Sequence, residues 1–566
     1  MDFVHLHVHS NYSLLQGAFS IEELVEAAAG CGMPAVALTD TNGLYGALAF
    51  YETARQAGVK PIIGAEIVCG AEQCVLLAAD RRGYANLCRI VTERRLAGTP
   101  HYEDFVASET VREPGRGTAR RAPTDDTSVP SSDPAGPFNI AGSIAADPEG
   151  LFVLTATPSL LRRLKGVVPD GRLYAELRAD GAHSFETYCP SLRGTNAEGD
   201  GGGHPDVADV AERLGIPPAA TVNVNFLRAN ERRTHAVLSA IRENVDLKAI
   251  CENDLMLADT HAFFMSAEQV AARLPSAVRK EAMRNAARIA QECNLELELE
   301  VPRFPRVELP SGQTPCRRLR DVAYAGARQR YGKVAGQVKA RLDRELKVIE
   351  MLDFCDYFLV VRDIIAFAER EDIPHVGRGS AANSIVSYCL GISAVDPLRF
   401  DLYFERFLNE FRTDVPDIDI DFCWRRRDDV IDYVYRRYGK ERVAMVSTHS
   451  RLLARSAFRD VARVMGLPQD EIDRHSKRLP HYGVSSIAEA METFPEMADF
   501  PIAKEPWRTV VETALKIDGY VRHLSIHLGG LVIGDRPLTW YTALENSAKG
   551  IVITQYEMKG IEKTGL

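Results

Sequence analysis

The sequence predicts a multidomain protein that combines α/β and α+β architecture, and three observations lead to this prediction. The chain has 566 residues, of which 46% are hydrophobic, so there is ample material for more than one core. Presumed strands and helices alternate from Phe3 to Glu66, which is typical of a parallel α/β barrel or a doubly wound sheet. From Arg232 to Leu297 the apolar spacing becomes helical, so a helical region follows the α/β region.

The first presumed strand carries three alternating histidines, His5, His7 and His9. Residues two apart on a strand share a face, so this is a metal-ligand pattern, although a strand can also bury such histidines as hydrogen-bonded core residues. The elements predicted next are a helix from Ile21 to Cys31, a strand ending at Asp40, a helix from Leu44 to Ala57 and a strand leading to Glu66.

Two low-complexity stretches interrupt this alternation, roughly Ala107 to Gly150 and Gly194 to His204. Both lack hydrophobic periodicity and bury too little apolar surface to offset the entropy of ordering, so we expect disordered loops. Beyond them, Ser266-Ala-Glu-Gln is a capping-box pattern and predicts the start of a helix.

The composition narrows the class of protein. The sequence has no apolar run of membrane-spanning length and no signal-peptide pattern, so we expect a cytoplasmic protein without a membrane partner. Its eleven cysteines include no C-x-x-C pair, which favours reduced, mostly buried thiols over a disulfide framework or a zinc cluster. The net charge of −10 gives no DNA-binding signal by itself, so local basic surfaces have to be sought.

The stretch Pro416 to Phe422 alternates three carboxylates with isoleucines, at Asp417, Asp419 and Asp421. On a strand the carboxylates would share one face while the isoleucines point into a core. Mg²⁺ prefers a few carboxylates together with phosphate oxygens, and two such ions can clamp the oxygens of a phosphoryl transfer. The alternative is a solvated acidic edge strand.

A glycine-rich stretch, Val376 to Asn383, precedes the carboxylates and leads into a predicted buried helix from Ser384 to Leu390. Glycines followed by a serine at a helix start free backbone N–H groups to hold phosphate. The spacing is not that of a P-loop, and alone the turn could be a plain helix cap. A phosphate cradle together with a carboxylate strand predicts a nucleotidyl-transfer site.

These motifs resemble a known family. The segments His375-Val-Gly-Arg-Gly-Ser-Ala-Ala-Asn-Ser, Ala394-Val-Asp-Pro, Phe404-Glu-Arg-Phe-Leu-Asn and Pro416-Asp-Ile-Asp-Ile-Asp-Phe are similar to the palm of the C-family DNA polymerases, the α subunit of bacterial DNA polymerase III. The resemblance implies template-directed nucleotidyl transfer in DNA replication or repair, with primer–template DNA and dNTPs as partners and other replisome subunits as further candidate partners. It also implies two Mg²⁺ ions on catalytic residues Asp417 and Asp419. For the incoming nucleotide it implies a site formed by Gly377, Arg378, Gly379, Ser380 and Arg406.

The resemblance also implies a domain order. It divides the chain into 1–230, a polymerase and histidinol phosphatase (PHP) domain with a distorted α/β barrel; 231–297, a helical connection; 298–449, the first part of the palm; 450–522, a helical thumb; and 523–566, a second, incomplete part of the palm. Four arginines, Arg451, Arg455, Arg459 and Arg463, recur at i, i+4 spacing where the thumb begins. Like charges at that spacing repel unless an anion lies against them, so we expect one basic stripe along a helix that contacts DNA phosphates.

The PHP region departs repeatedly from the family's metal-binding pattern. His7, His9 and Glu66 stand where metal-bearing members keep ligands. The other ligand positions are occupied by amides and hydroxyls, at Gln16, Thr41, Gln73, Thr157, Asn223 and Asn225. Such oxygens are weak ligands for Zn²⁺ or Mn²⁺ and leave clustered cations unscreened. We expect a vestigial site without bound metal.

Two other functions stay open. The chain could be a catalytically incomplete DNA-binding or replisome scaffold fragment, or a PHP phosphoesterase or 3′–5′ exonuclease, which the lost ligands argue against. C-family palms place a third aspartate just beyond the Gly-Leu that matches Gly565-Leu566. We therefore expect the chain as given, without that aspartate and the fingers, to show weak or absent primer extension.

Overall fold

The computed structural model describes residues 3–97, 138–181, 207–252, 257–409, 416, 418–479, 500 and 504–566. The chain divides into two compact units. The first comprises Met1–Glu298, Met445–Gly530 and Thr539–Ile561, and the second comprises Leu299–Ala444, Leu531–Leu538 and Glu562–Leu566.

The first unit begins with a six-stranded sheet flanked by helices. The helices and strands before residue 299 are α1 (Ile21–Gly30), β1 (Ala35–Leu38), α2 (Ala47–Gln56), β2 (Lys60–Cys69), β3 (Glu72–Ala78), α3 (Arg81–Leu96), α4 (Ile140–Ala146), β4 (Leu151–Thr155), α5 (Pro158–Leu164), β5 (Leu173–Arg178), α6 (Val207–Leu214), β6 (Pro218–Thr221), α7 (Arg232–Glu243), α8 (Leu247–Glu252), α9 (Ala267–Arg273) and α10 (Ser276–Glu292). The strands follow one another in sequence order across the sheet. The β2–β3 and β3–β4 pairs are antiparallel, and the other pairs are parallel.

The N-terminal segment links the two ends of this sheet. The His5 carbonyl accepts from the N–H of Ala37 on β1, and Val8 forms an isolated parallel bridge with Val224, just after β6. These contacts fit the predicted distorted barrel. Apart from this isolated bridge the segment forms no regular strand, which corrects the prediction of a first strand through the three histidines.

Local sequence signals explain several helix starts. Ser20 and Glu23 form a capping box at α1, and Ser266 with Gln269 forms the predicted one at α9.

The expectation of disorder across 107–150 is wrong for its last part, because α4 lies there with Ile140 fully buried. The remainder of that stretch up to residue 137, and all of 194–204, lie outside the described residues.

The second unit contains a helical layer and a two-stranded ribbon. Its helices and strands up to residue 438 are α11 (Pro315–Tyr331), α12 (Gly336–Met351), α13 (Cys355–Arg370), β7 (His375–Arg378), α14 (Ile385–Cys389), β8 (Asp419–Phe422) and α15 (Arg427–Tyr438). Its core packs α11, α12 and α13 around α14.

Cys316 is paired with Cys355 (Cα–Cα 5.2 Å), which corrects the expectation of reduced thiols, while the other described cysteines are free.

A second sheet and a helical cluster follow. The helices and strands are β9 (Val443–Arg451), α16 (Ala454–Val464), α17 (Gln469–Ser476), α18 (Trp507–Lys516), β10 (Val521–Ile533), β11 (Leu544–Asn546), β12 (Val552–Glu557) and α19 (Met558–Lys563). The sheet has the order β10-β9-β12-β11. Phe458 on α16 stacks on Trp507 at 5.6 Å, and both belong to a core that includes Val237 of α7. Within the described ranges, no helix is long and apolar enough to span a bilayer.

Candidate active site

The glycine-rich stretch and the carboxylate strand are direct neighbours in the second unit. Strands β7 and β8 pair antiparallel, with Gly377 opposite Ile420 and Arg378 opposite Asp419. Residues that are about 40 positions apart in the sequence are thereby brought together by backbone pairing. The two motifs form one site.

The alternation along β8 separates a core face from an open face. Ile418 and Ile420 pack against the core of the second unit. The side chains of Asp419 and Asp421 point away from it and are 39% and 62% exposed. This is the arrangement expected from the spacing, and it leaves both carboxylates accessible to a ligand. Asp417 lies outside the described residues.

Two glycines in β7 and the following turn are required by close contacts and by backbone conformation. A Cβ at Gly377 would lie 1.9 Å from the carbonyl oxygen of Ile392. Gly379 has φ +74°, in the left-handed region, and a Cβ there would lie 3.7 Å from Asp419 Oδ2. The backbone therefore passes close to the carboxylate without a side chain between them.

Arg378 contacts both described carboxylates of β8. Its Nη1 lies 3.4 Å from Asp419 Oδ2, and its Nε donates to Asp421 Oδ1 at 3.4 Å. Arg378, which the resemblance assigns to the nucleotide site, is paired here with carboxylates. The guanidinium is 61% exposed, so the pair is solvated and weak. Arg406 is exposed on a 3₁₀ turn, Phe404–Arg406.

The loop after Gly379 differs from the predicted phosphate cradle at a helix start. Gly379–Asn383 form a 3₁₀ turn that contains Ser380, and α14 begins only at Ile385, where Ser384 caps it. Ser380 is therefore not at the helix N-terminus, so the helix dipole adds little at that residue. The turn is held by the Asn383 side chain, which donates to the Ser380 carbonyl at 2.9 Å.

The first unit holds a second polar cluster, the PHP pocket, formed by His7, His9, Glu66 and Glu176. One ligand atom from each of His7, His9 and Glu66 lies within 4.8 Å of the others. His7 Nδ1 bonds to Glu176 Oε1 at 2.7 Å, and His7 Nε2 lies 3.4 Å from Glu66 Oε1. Glu176 was missed at the sequence level because it lies inside an apolar strand, with no flanking motif.

The PHP pocket contains buried charges that interact strongly with one another. Burial lowers the pKa of a histidine, but Glu176 and Glu66 outweigh this at His7 and raise its pKa to about 9. At His9 burial prevails and lowers the pKa to about 3. Burial raises the pKa of Glu66, yet the two histidines reverse this and hold it at about 2. The His7 imidazolium therefore stabilises the carboxylates of Glu66 and Glu176 and offsets one of their two negative charges.

Several amides and hydroxyls at the replaced ligand positions bond to one another, and Thr41 also donates to the retained ligand Glu66 at 2.9 Å. Gln16 donates to Asn225 Oδ1 at 3.2 Å and accepts from Thr41 Oγ1 at 3.3 Å. The Asn225 amide donates to Asn223 Oδ1 at 3.0 Å. Further along, Thr157 Oγ1 donates to the backbone carbonyl of Gln73 at 3.4 Å. The donor set retains three ligands that fit one ion, without the anionic groups that a cluster of two or three ions needs.

The four predicted arginines do not form one stripe. Arg451 ends β9, so it is not on the helix with the others, which corrects the prediction. Arg455 on α16 donates to the Leu479 carbonyl at 2.9 Å, and Arg463 donates to Asp460 at 3.1 Å. Arg459 is exposed on the same helix. Two of the three helical arginines therefore already bond within the first unit.

Comparison with known proteins defines the class of both regions. Residues 5–177 match the PHP domain, and residues 317–566 match the bacterial DNA polymerase III alpha NTPase domain. The chain is 36% identical to the error-prone DNA polymerase of Symbiobacterium thermophilum, covering 100% of this chain and 50% of the relative. It is 32% identical to DNA polymerase III subunit alpha of Bacillus subtilis, covering 100% and 48% respectively.

A third relative, the error-prone DNA polymerase of Mycobacterium bovis, is 34% identical over 95% of this chain and 46% of its own length. The chain belongs to the C-family DNA polymerases, the family of the bacterial DNA polymerase III α subunit and the error-prone DNA polymerases. This confirms the resemblance stated from the sequence. The chain spans about half the length of the curated relatives that it matches.

Proposed function

We propose that this chain carries the nucleotide-binding part of a DNA-directed DNA polymerase, which adds deoxynucleotides to a primer by template-directed nucleotidyl transfer. One observation carries the proposal. The pairing of β7 with β8 sets Gly377, Arg378 and Gly379 beside Asp419, so the loop proposed to bind phosphate adjoins a carboxylate proposed to bind metal.

Each group at this site has a distinct task in the proposed reaction. Asp417 and Asp419 would hold two Mg²⁺ ions, which when bound supply charge neutralisation for the triphosphate and activate the primer 3′-hydroxyl. The N–H groups of Gly379 and Ser380 would bind phosphate oxygens. Arg378 would leave Asp419 and Asp421 and bind the triphosphate. Its contacts with these carboxylates are exposed to solvent, and the planar guanidinium fits phosphate.

Primer–template DNA would be the macromolecular partner, with other replisome subunits as further candidates. Arg459 is free to face a phosphate because it is exposed on α16, whereas Arg455 and Arg463 would first have to leave their bonds in the first unit. Arg451 would contact DNA from the end of β9. We expect the contribution of these arginines to DNA affinity to rank with Arg459 first.

The PHP pocket would stabilise the fold and would take no part in catalysis. The His7 imidazolium already contacts both carboxylates, and Gln16, Asn223 and Asn225 are bonded to one another, so a PHP phosphoesterase or exonuclease activity has little support. We propose that no metal is bound there in the protein as isolated.

The test is a titration of the 566-residue chain with fluorescent dNTP, with and without Mg²⁺. The wild-type chain should bind more tightly when Mg²⁺ is present, and Asp419→Asn should lose that dependence. Asp372→Asn is the matched control, because Asp372 is an exposed carboxylate of the same unit with φ +52°, which asparagine tolerates. Equal Mg²⁺ dependence in the wild-type chain and Asp419→Asn would refute the assignment.

A further inference from the structure

Behind the glycine-rich loop lies a buried charged pair that the proposed chemistry does not use. Arg341 and Glu345 are one turn apart on α12, and Arg341 Nε donates to Glu345 Oε1 at 2.5 Å. Glu345 is 0% exposed, and the Arg341 side chain is 16% exposed. A carboxylate is costly to bury, so each of its contacts is informative.

The second carboxylate oxygen of Glu345 holds the start of α14. It accepts from Ser384 Oγ at 2.7 Å and from the Val386 N–H at 3.3 Å. Ser384 in turn accepts from the Ser387 N–H at 3.1 Å, which is the cap of the helix. Glu345 therefore fixes the residue at which the 3₁₀ turn ends and the helix begins.

Arg341 extends this link to two backbone segments. Its Nη2 donates to the carbonyl of Asn383, at the end of the turn that carries Gly379 and Ser380, at 3.1 Å. The same nitrogen donates at 3.0 Å to the carbonyl of Leu402, which lies just before the turn that carries Arg406. A single guanidinium thus joins the two segments proposed to bind the triphosphate.

A purely stabilising role explains this arrangement poorly. Replacing a buried ion pair by apolar side chains of similar volume is often neutral or stabilising, so such a pair adds little to stability. The five donors of arginine in a fixed plane can, however, set the distance between two carbonyls and a carboxylate, which lysine cannot do.

We propose that Arg341 and Glu345 are positioning residues for the incoming nucleotide. By fixing the turn that contains Gly379 relative to the turn that contains Arg406, they set the affinity for the triphosphate. This inference rests on the proposed function, since it assigns a determinant of the same nucleotide site.

The experiment compares dNTP affinity, with Mg²⁺, for Arg341→Lys, Glu345→Gln and Ser384→Ala in the 566-residue chain. Arg341→Lys keeps the charge but loses the fork, and we expect about tenfold weaker binding, because small errors in placement cost large factors in such sites. Arg318→Lys is the control, since Arg318 is exposed on the neighbouring helix α11. Circular dichroism shows whether each variant is folded. If Glu345→Gln does not fold, Arg341→Lys and Ser384→Ala decide the outcome.

A double-mutant cycle with Arg406→Ala separates positioning from general stability. If Arg341 acts by placing the Arg406 turn, Arg341→Lys should weaken binding much less when Arg406 is already absent. Additive losses, or a folded Arg341→Lys with wild-type affinity, would overturn the inference. Absence of Mg²⁺-dependent binding in the wild-type chain would instead refute the proposed function, so the two failures are distinguishable.

Discussion

Gly377→Ala is the sharpest perturbation of the site, because it adds one methyl group at a point where the backbone is packed closely. The new Cβ would lie 1.9 Å from the Ile392 carbonyl oxygen, whereas real Cβ atoms essentially never come within 3.0 Å of a heavy atom. The two backbone segments must therefore separate by at least about 1.1 Å. Backbone, unlike a flexible side chain, cannot turn aside, so β7 has to move relative to Ile392.

The size of the effect follows from that displacement. Overpacking a close contact costs about 1–3 kcal/mol of stability. A shift of about 1 Å in a positioning element can cost up to about a hundredfold in function, so dNTP affinity should fall by about tenfold to a hundredfold. Because Gly377 is paired with Ile420 on β8, the shift also changes the relation of the loop to Asp419.

The measurement is a dNTP titration with Mg²⁺ together with urea unfolding of the same sample. Gly30→Ala is the matched control, since a Cβ there meets nothing within 4 Å and alanine suits the helix α1 in which it lies. The control should bind like the wild-type chain and be equally or more stable. A Gly377→Ala chain with wild-type affinity and stability would show that the loop does not depend on this contact.

Three further predictions address other parts of the chain. Gly379→Ala and Gly332→Ala both place a methyl group at a positive φ (+74° and +69°) and should each cost about 1–2 kcal/mol, but only the first should weaken dNTP binding; equal affinities would contradict the assignment of the loop. His235 donates from Nδ1 to the Gln16 carbonyl and accepts at Nε2 from a backbone N–H, so these two bonds require a neutral imidazole. Burial lowers the pKa of His235 to about 4. This contribution to stability is complete above the unfolded pKa of about 6.5 and is lost as the pH falls towards 4, with about 2 kcal/mol lost by pH 5. Urea unfolding at pH 8 and pH 5 should show the loss, and His235→Gln should make the difference between the two pH values about 2 kcal/mol smaller. Elemental analysis of the purified chain should find no stoichiometric Zn²⁺ or Mn²⁺, and two or more tightly bound ions per chain would contradict the proposal for the PHP pocket.

Short-range patterns were predictable from the sequence where a periodic signal and a local signal agreed. The helix predicted from Ile21 to Cys31 is observed as α1 (Ile21–Gly30), and α9 begins at its predicted capping box. The alternation of Asp419 and Ile420 gave the two faces of β8. In each case the residues that determine the structure are neighbours in the sequence, so the pattern can be recognised from this sequence alone.

Long-range partners were not predictable in the same way. The regular four-residue spacing of the arginines indicated one helix, but β9 extends to Arg451 and α16 starts only at Ala454. The pairing of Cys316 with Cys355 depends on the packing of α11 against α13, and the spacing of the cysteines in the sequence does not predict it. Glu345 and Glu176 were missed for the same reason, because a buried carboxylate takes its role from partners far along the chain.

The two acidic clusters differ in the way their charge is balanced, and this difference indicates where chemistry can take place. In the PHP pocket the cation is His7, which is 1% exposed and contacts two buried carboxylates. Removing one partner of a buried pair leaves an uncompensated charge and costs about 3–5 kcal/mol, so that cluster resists exchange with a ligand. At β8 the cation is Arg378, which is 61% exposed, and an exposed pair of this kind is worth about 0–1 kcal/mol. In the proposed function, an incoming nucleotide would displace this guanidinium at little cost, and the guanidinium would then bind a phosphate group. The described carboxylates of β8 are therefore accessible to a ligand, whereas Glu66 and Glu176 in the PHP pocket are buried against His7.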